Sequence, residues 1–328
     1  MMRIVLCFPV ESAHIERIRA AAPVGAEIVD AGQEGIAEAL PTADIFIGHA
    51  KVPVDWGRVL EAGRLNWIQS SAAGLDHCLV PGVIDSEIIV TSASGLFAPQ
   101  VTEQTLALLF GLLRRIPTFI AAAAKKEFIR RPTDDLRGKR VGIVGLGGNG
   151  RAIARALRPL CSEIVATDYF PDYASEHVEA IWPHDHLERL LSSSQVVILA
   201  LPLNSQTEGM FNAERFSQMQ PGSYLINVAR GPVVNEHDLV SALQSGQIQA
   251  AGLDVTEIEP LPESSPLWDL PNVLITPHVG AQSYRRVDDT VELVCENLRR
   301  WQAGQPLYNR VDKRLGFPHP DAIWNATT

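Results

Sequence analysis

The stretch Val141-Gly142-Ile143-Val144-Gly145-Leu146-Gly147-Gly148-Asn149-Gly150 is an apolar run that stops in a glycine-rich turn and continues as Arg151-Ala152-Ile153-Ala154-Arg155-Ala156-Leu157. It reads as a buried strand, a G-x-G-x-x-G turn and a helix. The glycines permit a tight bend, close approach of backbone to a pyrophosphate and close helix-on-strand packing, while the helix N-terminus offers unpaired N–H groups to phosphate charge. Three glycines alone could simply make a turn. Here an acid also follows: Asp168 closes the strand Glu163-Ile164-Val165-Ala166-Thr167 and lies 168 − 147 = 21 residues past the middle glycine. A carboxylate at that spacing meets the adenosine ribose hydroxyls of a nicotinamide dinucleotide. It would also repel a 2′-phosphate, and no Arg follows in Tyr169-Phe170-Pro171, so NAD is expected over NADP.

The chain has 328 residues, above the usual single-core limit of roughly 250 to 300, so two domains are expected. A net charge of −10 and the absence of any Lys/Arg cluster or zinc-finger spacing argue against nucleic-acid binding. The most apolar helical candidate, Gln104 to Leu113, sits between Glu103 and Arg114 and falls short of the roughly 20 residues that span a membrane. At the start, Pro9 and Glu11 interrupt Met1 to Phe8 before a signal-peptide core can form, and the segment reads as a first strand. Cys7, Cys78, Cys161 and Cys295 are scattered without C-x-x-C or metal spacing, as buried or incidental thiols in a reducing cytoplasm would be. His184 and His186 offer one side of a strand and no third ligand, so solvated loop histidines, and no metal, are expected.

Before the glycine turn, Ile4 to Phe8, Glu27 to Val29, Asp44 to Gly48, Leu65 to Gln69 and Ile88 to Thr91 read as short buried strands. Helical patterns separate them, as at Ser12 to Ala21 and Gln33 to Leu40, and such alternation implies a parallel sheet covered by helices. From Ala98 a long helix is expected, with Val101, Thr105, Leu108, Leu109, Leu112 and Ile116 on one face and Pro117 near its end. Charged Lys125 to Lys139 reads as surface connection. A second strand series follows: Val141 to Val144, Ile164 to Thr167, Val196 to Leu201, Tyr224 to Val228, Ala251 to Val255 and Val273 to Thr276. After Gly280 a helix carries Val287, Val291, Val294, Leu298 and Trp301 on one face and ends near Gly304. The expected architecture is therefore α/β with two doubly wound parallel sheets. A Rossmann dinucleotide-binding domain, residues 99–283, is inserted into a flavodoxin-like substrate domain, residues 1–98 with 284–328, the two crossing helices forming the hinge. The Pro-rich residues from Gly316 carry no reading.

Ligands in open α/β sheets bind outside the carboxyl ends of the strands. At that edge of the second sheet successive strands deliver Arg230, then Asp254 and Glu259, then His278, beside the turn and Asp168. Each has a bland alternative: a loop arginine on carbonyls, a solvated acid before Pro260, a packed histidine after Pro277. Together they match the needs of hydride transfer to a carbonyl, which leaves charge on oxygen and calls for a proton donor and an orienting cation. His278 is the natural donor, Glu259 would favour its protonated form and fix its tautomer, and Arg230 can bind a carboxylate in a fork that Lys cannot copy.

At these residues the chain resembles the D-isomer-specific 2-hydroxyacid dehydrogenases along nearly its whole length. The likeness is carried by Gly138-Lys139 before Gly145-Leu146-Gly147-Gly148-Asn149-Gly150, Leu201-Pro202-Leu203 with Thr207, Asn227-Val228-Ala229-Arg230-Gly231, Gly252-Leu253-Asp254-Val255, Glu259-Pro260-Leu261-Pro262 and Thr276-Pro277-His278-Val279-Gly280. The resemblance implies an NAD-dependent enzyme with Arg230, Glu259 and His278 as catalytic residues. It places Gly145, Gly147, Gly148, Asn149, Gly150, Asp168, Pro202, Thr207, Val228, Ala229, Arg230, Asp254, His278 and Gly280 around the cofactor. In the first unit, Gln69 to Asp76 and Ser94-Gly95 with Val101-Thr102-Glu103 also resemble the family. There Ala72, Ala73 and Gly74 are implied to present N–H groups to the substrate carboxylate, although small residues equally suit a strand-to-helix turn. Asn149 stands where the family commonly has an aliphatic residue, and His49-Ala50-Lys51 lies where phosphate-recognising members carry an Arg.

The expected reaction interconverts a small 2-oxo acid, glyoxylate or hydroxypyruvate, and its D-2-hydroxy acid. The alternatives are a catalytically weak NAD(H)-sensing binding protein of corepressor type and an enzyme like D-3-phosphoglycerate dehydrogenase, kept open by Lys51. Formate dehydrogenases of this fold carry an amide where Glu259 stands. A homodimer through the nucleotide unit and the helix from Ala98 is implied, with no nucleic-acid or membrane partner.

Overall fold

The computed structural model describes residues 1–324 and divides into two compact units, Met1–Phe97 with Ser283–Thr328, and Ala98–Gln282. The first segment runs β1 (Arg3–Cys7), α1 (Ser12–Ala21), β2 (Glu27–Asp30), α2 (Gly32–Ala39), β3 (Ile45–Gly48), α3 (Trp56–Ala62), β4 (Trp67–Ser70), α4 (Pro81–Ile84) and β5 (Ile89–Thr91). Its sheet is parallel with order β2-β1-β3-β4-β5, that of flavodoxin-like folds.

The second unit opens with α5 (Ala98–Leu113) and α6 (Ile116–Ala124), then β6 (Arg140–Val144), α7 (Gly148–Leu157), β7 (Glu163–Asp168), β8 (Ala180–Pro183), α8 (Leu187–Ser193) and β9 (Val196–Leu199). It continues through α9 (Ala213–Gln218), β10 (Ser223–Asn227), α10 (Glu236–Ser245), β11 (Ile248–Leu253) and β12 (Val273–Ile275). The seven strands pair in parallel in the order β12-β11-β10-β9-β6-β7-β8, so the chain reverses direction across the sheet between β6 and β9, where a Rossmann fold opens its crevice. Local signals end these helices in an ordinary way: Asn235 caps α10 by accepting from the Asp238 N–H, and Gly246 stops it at φ 77°.

Both faces of each sheet are covered, which is why the strands read as continuous apolar runs rather than alternating ones. In the second unit Leu108, Leu109 and Leu112 of α5 and Ile153 and Leu157 of α7 pack with Val141, Ile143, Ile164 and Ile226. Leu190, Phe211, Phe216, Leu239 and Leu243 cover the other face over Val197, Leu199 and Leu225.

The expected long helix from Ala98 is two helices. Arg115 adopts the left-handed conformation at φ 53°, and α6 leaves α5 at 68°, so Ile116 is 45% exposed instead of continuing the buried face. Pro117 stands in the first turn of α6, where its missing N–H costs nothing, and so marks a start rather than an end. Among the described residues no single helix is long and apolar enough to cross a membrane. The strand β8 was not expected from the sequence; it is a short sheet edge. His184 and His186 follow it in a 3-10 turn, exposed, with His184 stacked on Tyr169, and no metal-holding cluster occurs among the described residues.

After the second unit, α11 (Arg286–Gln302) returns to the first, and a short hairpin of β13 (Val311–Asp312) and β14 (Phe317–Pro318) follows. The face of α11 carrying Val291, Val294 and Leu298 joins Ile4, Leu6, Ile18, Ile45 and Ile47, and Trp301 stacks on Trp67 at 5.3 Å. A buried polar chain locks it there. Trp67 Nε1 donates to Thr91 Oγ1, Thr91 Oγ1 to Gln69 Oε1, and Asn297 Nδ2 to the same Gln69 oxygen, each at 2.8 Å. Asn297, with no exposed surface, also bonds both backbone groups of Tyr308. After Gly304 the chain is anchored at Asn309, which is fully buried and whose Nδ2 donates to Ser92 O and Ser94 O. Asn297→Leu should cost about 2–4 kcal/mol, because it removes a donor from buried Gln69 and strands the part-buried Tyr308 N–H and C=O without offering either a partner. Chemical denaturation monitored by tryptophan fluorescence measures this, and a loss under 1 kcal/mol would show the network to be dispensable.

Candidate active site

The carboxyl edge of the second sheet assembles the site. The β6 strand runs into the glycine turn, where Gly145 sits at φ 92° and a Cβ on it would lie 2.8 Å from Ala200 O. A Cβ on Gly150 would lie 2.1 Å from Gly145 O, so α7 and the turn approach to a distance only glycine allows. Gly147 differs, since nothing lies within 4 Å of its would-be Cβ. It precedes α7 and gives no side-chain cap to the first-turn N–H groups. This open cradle at a helix N-terminus fits a pyrophosphate. Gly148 and Asn149 form the first turn of α7 beside it. Asp168 ends β7 and ties the turn down: Oδ2 accepts from Leu146 N at 2.6 Å and Oδ1 from Phe170 N at 2.8 Å. Each oxygen keeps acceptor capacity for a ribose hydroxyl.

Beyond β9, Thr207 is spent inside its own loop: its hydroxyl donates to Pro202 O at 2.8 Å and accepts from Asn204 N at 2.9 Å. Beyond β10, Asn227 is 1% exposed; its Oδ1 accepts from Ala229 N at 3.0 Å and its Nδ2 donates to Arg230 O at 3.2 Å. This turn fixes Val228, Ala229 and Arg230. The half-buried Arg230 side chain donates to Ala229 O at 2.8 Å.

Beyond β11 and β12, His278 Nδ1 lies 2.8 Å from Glu259 Oε2. An ionised carboxylate only accepts, so Nδ1 carries the proton and Nε2 is left to hold or release one at a ligand. Thr256 N–H donates to the other Glu259 oxygen at 3.2 Å. Burial raises the Glu259 carboxyl, but the hydrogen bond and charge of His278, the Thr256 N–H and the Arg230 guanidinium together hold it below the ordinary carboxylate range. His278 and Glu259 are thus paired, and the charge of Arg230 acts on the same carboxylate. His278 itself holds a left-handed backbone, φ 54°, which a non-glycine residue keeps only when its surroundings impose it. Asp254, 3% exposed, takes Val279 N at 3.0 Å on Oδ1 and Gly280 N at 2.8 Å on Oδ2. The resemblance placed Gly280 around the cofactor, and its N–H is used within the protein.

In the first unit, Ala72, Ala73 and Gly74 follow β4. The Ala72 N–H is taken by Ser70 Oγ at 3.1 Å, while nothing pairs with those of Ala73 and Gly74 among the described residues. Gly231 is the residue to which the sequence lent no role. A Cβ there would stand 1.7 Å from Thr256 O, so the loop of Arg230 and the loop of Glu259 touch through it.

The depressed Glu259 carboxyl has a stability consequence with a definite sign. Its contribution is present above the ordinary carboxyl value of 4.5 and is lost as pH falls through the lower folded-state value. The advantage in Tm of the wild type over Glu259→Gln should therefore hold steady down to pH 4.5 and shrink only below it. A scan of Tm against pH checks this; an advantage already gone at pH 5 would contradict the pairing.

Residues 106–280 match the family described as D-isomer specific 2-hydroxyacid dehydrogenase, NAD binding domain. The chain is 32% identical to glyoxylate/hydroxypyruvate reductase B of Pectobacterium atrosepticum over 283 residues, 84% of this chain and 88% of that protein. Among solved structures, a D-isomer specific 2-hydroxyacid dehydrogenase from Xanthobacter autotrophicus in complex with NADPH and MES superposes with a TM-score of 0.81 at 32% identity, covering 96% of this chain and 99% of that one. An NADPH-dependent glyoxylate/hydroxypyruvate reductase from Sinorhizobium meliloti, with NADP and sulfate, gives 0.81 at 27% identity over 97% and 100%.

Proposed function

Because the chain belongs to the D-isomer-specific 2-hydroxyacid dehydrogenases, oxidoreductases with a nicotinamide dinucleotide-binding domain, we propose that it reduces a small 2-oxo acid of the glyoxylate or hydroxypyruvate kind to the D-2-hydroxy acid. The observation that carries this is the 2.8 Å pairing of His278 Nδ1 with Glu259, under the charge of Arg230. Gly145, Gly147, Gly148, Asn149 and Gly150 would hold the pyrophosphate and Asp168 the adenosine ribose. Pro202, Val228, Ala229, Asp254 and Gly280 would shape the nicotinamide side, Thr207 acting by folding its loop.

When bound, the reduced nicotinamide supplies a hydride to the carbonyl carbon. Arg230 turns from Ala229 O to the substrate, pairing with the carboxylate and drawing charge toward the carbonyl oxygen. His278 Nε2 delivers a proton to that oxygen as charge develops, and the hydroxy acid is complete with one hydride and one proton added. Glu259 stabilises the imidazolium before transfer and keeps Nδ1 protonated after it. Within the first unit, the Ala73 and Gly74 N–H groups are suited to a carboxylate, and Ala72 shapes the turn.

Asp168 supports NADH over NADPH, in contrast to the NADPH and NADP in the two solved relatives. A panel of 2-oxo acids assayed with NADH and NADPH in parallel is the test. Turnover of glyoxylate or hydroxypyruvate with NADH preferred is expected; no oxidation of either dinucleotide with any oxo acid would end the proposal. Self-association is supported by α6, whose Ile120 is 65% exposed, with Phe128 beyond it at 93%. These side chains suit a second copy, and sedimentation should show a dimer that Ile120→Asp converts to monomer.

A further inference from the structure

The loop that presents His278 is held by a chain of hydrogen bonds that starts on a helix at the opposite end of the second unit's sequence. Gln104, half-buried on α5, donates from Nε2 to Thr276 Oγ1 at 2.7 Å, and Thr276 Oγ1 donates to Asp254 Oδ1 at 2.7 Å. Since a hydroxyl has one proton, accepting from Gln104 commits that proton to Asp254. Asp254 gathers the same loop from the other side through Val279 N and Gly280 N, and its backbone O accepts from His278 N at 2.7 Å. The fit is tight: a Cβ on Gly280 would lie 2.7 Å from Asp254 Oδ2 and 3.6 Å from Gln104 Cγ.

We infer that Gln104 and Thr276 are positioning residues for His278, acting through Asp254 to impose the left-handed backbone that aims the imidazole at Glu259. Their side chains hydrogen-bond to each other and to Asp254, not to Glu259 or Arg230. What they supply is the orientation of one residue, Asp254, whose carboxylate takes three donors of the His278 loop and its flank, Thr276 Oγ1, Val279 N and Gly280 N, and whose backbone carbonyl takes a fourth, His278 N. Thr276→Val keeps the shape and removes the relay, leaving the Gln104 amide without its acceptor and Asp254 one donor short. The loop is then free to relax toward the ordinary φ range, which swings Nδ1 away from Glu259.

The inference rests on His278 as the proton donor, and the test separates the two. Thr276→Val should lower kcat for 2-oxo acid reduction at least tenfold while Kd for NADH, read by fluorescence, stays within twofold. Thr276→Ser should restore most of the rate. Gln104→Leu should lower kcat three- to fivefold alone and add nothing to Thr276→Val, since both act through one hydroxyl. A Thr276→Val rate within twofold of wild type, an equal loss in NADH affinity, or additive effects in the double variant overturns the assignment. If Thr276→Val does not fold, Gln104→Leu decides by the same kcat and Kd measurements. If the wild type reduces no 2-oxo acid, the proposed reaction falls, and a crystal structure of Thr276→Val decides the positioning role alone. His278 Nδ1 beyond about 3.5 Å from Glu259 Oε2 supports it, and the bond kept intact refutes it.

Discussion

His278→Ala should lower kcat for 2-oxo acid reduction by about 10²–10⁴-fold, the span a positioned proton donor contributes, while NADH still binds within a few-fold of its wild-type affinity. The separation follows from placement. The features that suit the dinucleotide's phosphates and ribose, the open cradle at Gly147 and the Asp168 tie to Leu146, lie at β6 and β7. His278 lies past β12, at the far side of the sheet order, and its side chain pairs with Glu259. Removing the imidazole deletes the proton source and leaves the cradle intact. Glu259→Gln should cost less, because the amide oxygen can still accept from Nδ1 but brings no charge to stabilise the imidazolium. Stopped-flow NADH oxidation with glyoxylate or hydroxypyruvate, beside fluorescence titration of NADH, measures both quantities. A His278→Ala enzyme that keeps a tenth of the wild-type rate would remove His278 from the chemistry.

Gly231→Ala should be nearly as severe, although it adds one methyl group to a residue with no chemistry of its own. The new carbon would stand 1.7 Å from Thr256 O and 2.1 Å from Thr256 C. These are backbone atoms, so no rotamer change relieves the overlap, and one loop must move by more than 1 Å. Arg230 is the neighbour of Gly231 on one side, and the Thr256 N–H holds Glu259 on the other. Misplacement of about 1 Å at reacting groups costs on the order of 10²-fold in rate, and overpacking adds roughly 1–3 kcal/mol of destabilisation. Steady-state kinetics with thermal denaturation tests this. Wild-type kcat in a folded Gly231→Ala protein would mean that the two loops are not coupled through this contact.

The contrast between these two positions shows what the sequence discloses. His278, Glu259 and Arg230 are legible because each follows an apolar run that can only be a buried strand, and parallel strands bring their ends to one edge. The parallel pairing of both sheets follows from the same alternation. Gly231 is visible as a glycine, but its necessity comes from a Thr256 carbonyl on the next strand's loop. The Gln104 to Thr276 bond joins residues 172 positions apart, a separation at which no local pattern exists. The helix break after Leu113 is hidden because apolar residues continue through Ile116-Pro117-Thr118-Phe119-Ile120, and only the left-handed Arg115 reveals the bend. The β8 strand, Ala180-Ile181-Trp182-Pro183, is too short and too exposed to declare itself. Asn297 and Asn309 are polar residues inside a core, and their pairing with Gln69 and Ser92 depends on the return of the chain after the second unit.

That return gives the protein a schedule for its own making. The first sheet leaves the ribosome early, yet Ile4, Leu6, Ile45 and Ile47 wait for Val291, Val294 and Leu298, and Gln69 waits for Asn297. At roughly 5–20 residues per second, the inserted unit takes on the order of ten to forty seconds to synthesise. For that interval one face of the earlier sheet has only the α1 side of its cover, Ile18 and Ala21, while Ala98–Gln282 has every strand of its own sheet in hand. The nucleotide-binding unit is therefore the part able to fold first, and the first unit is the part completed last.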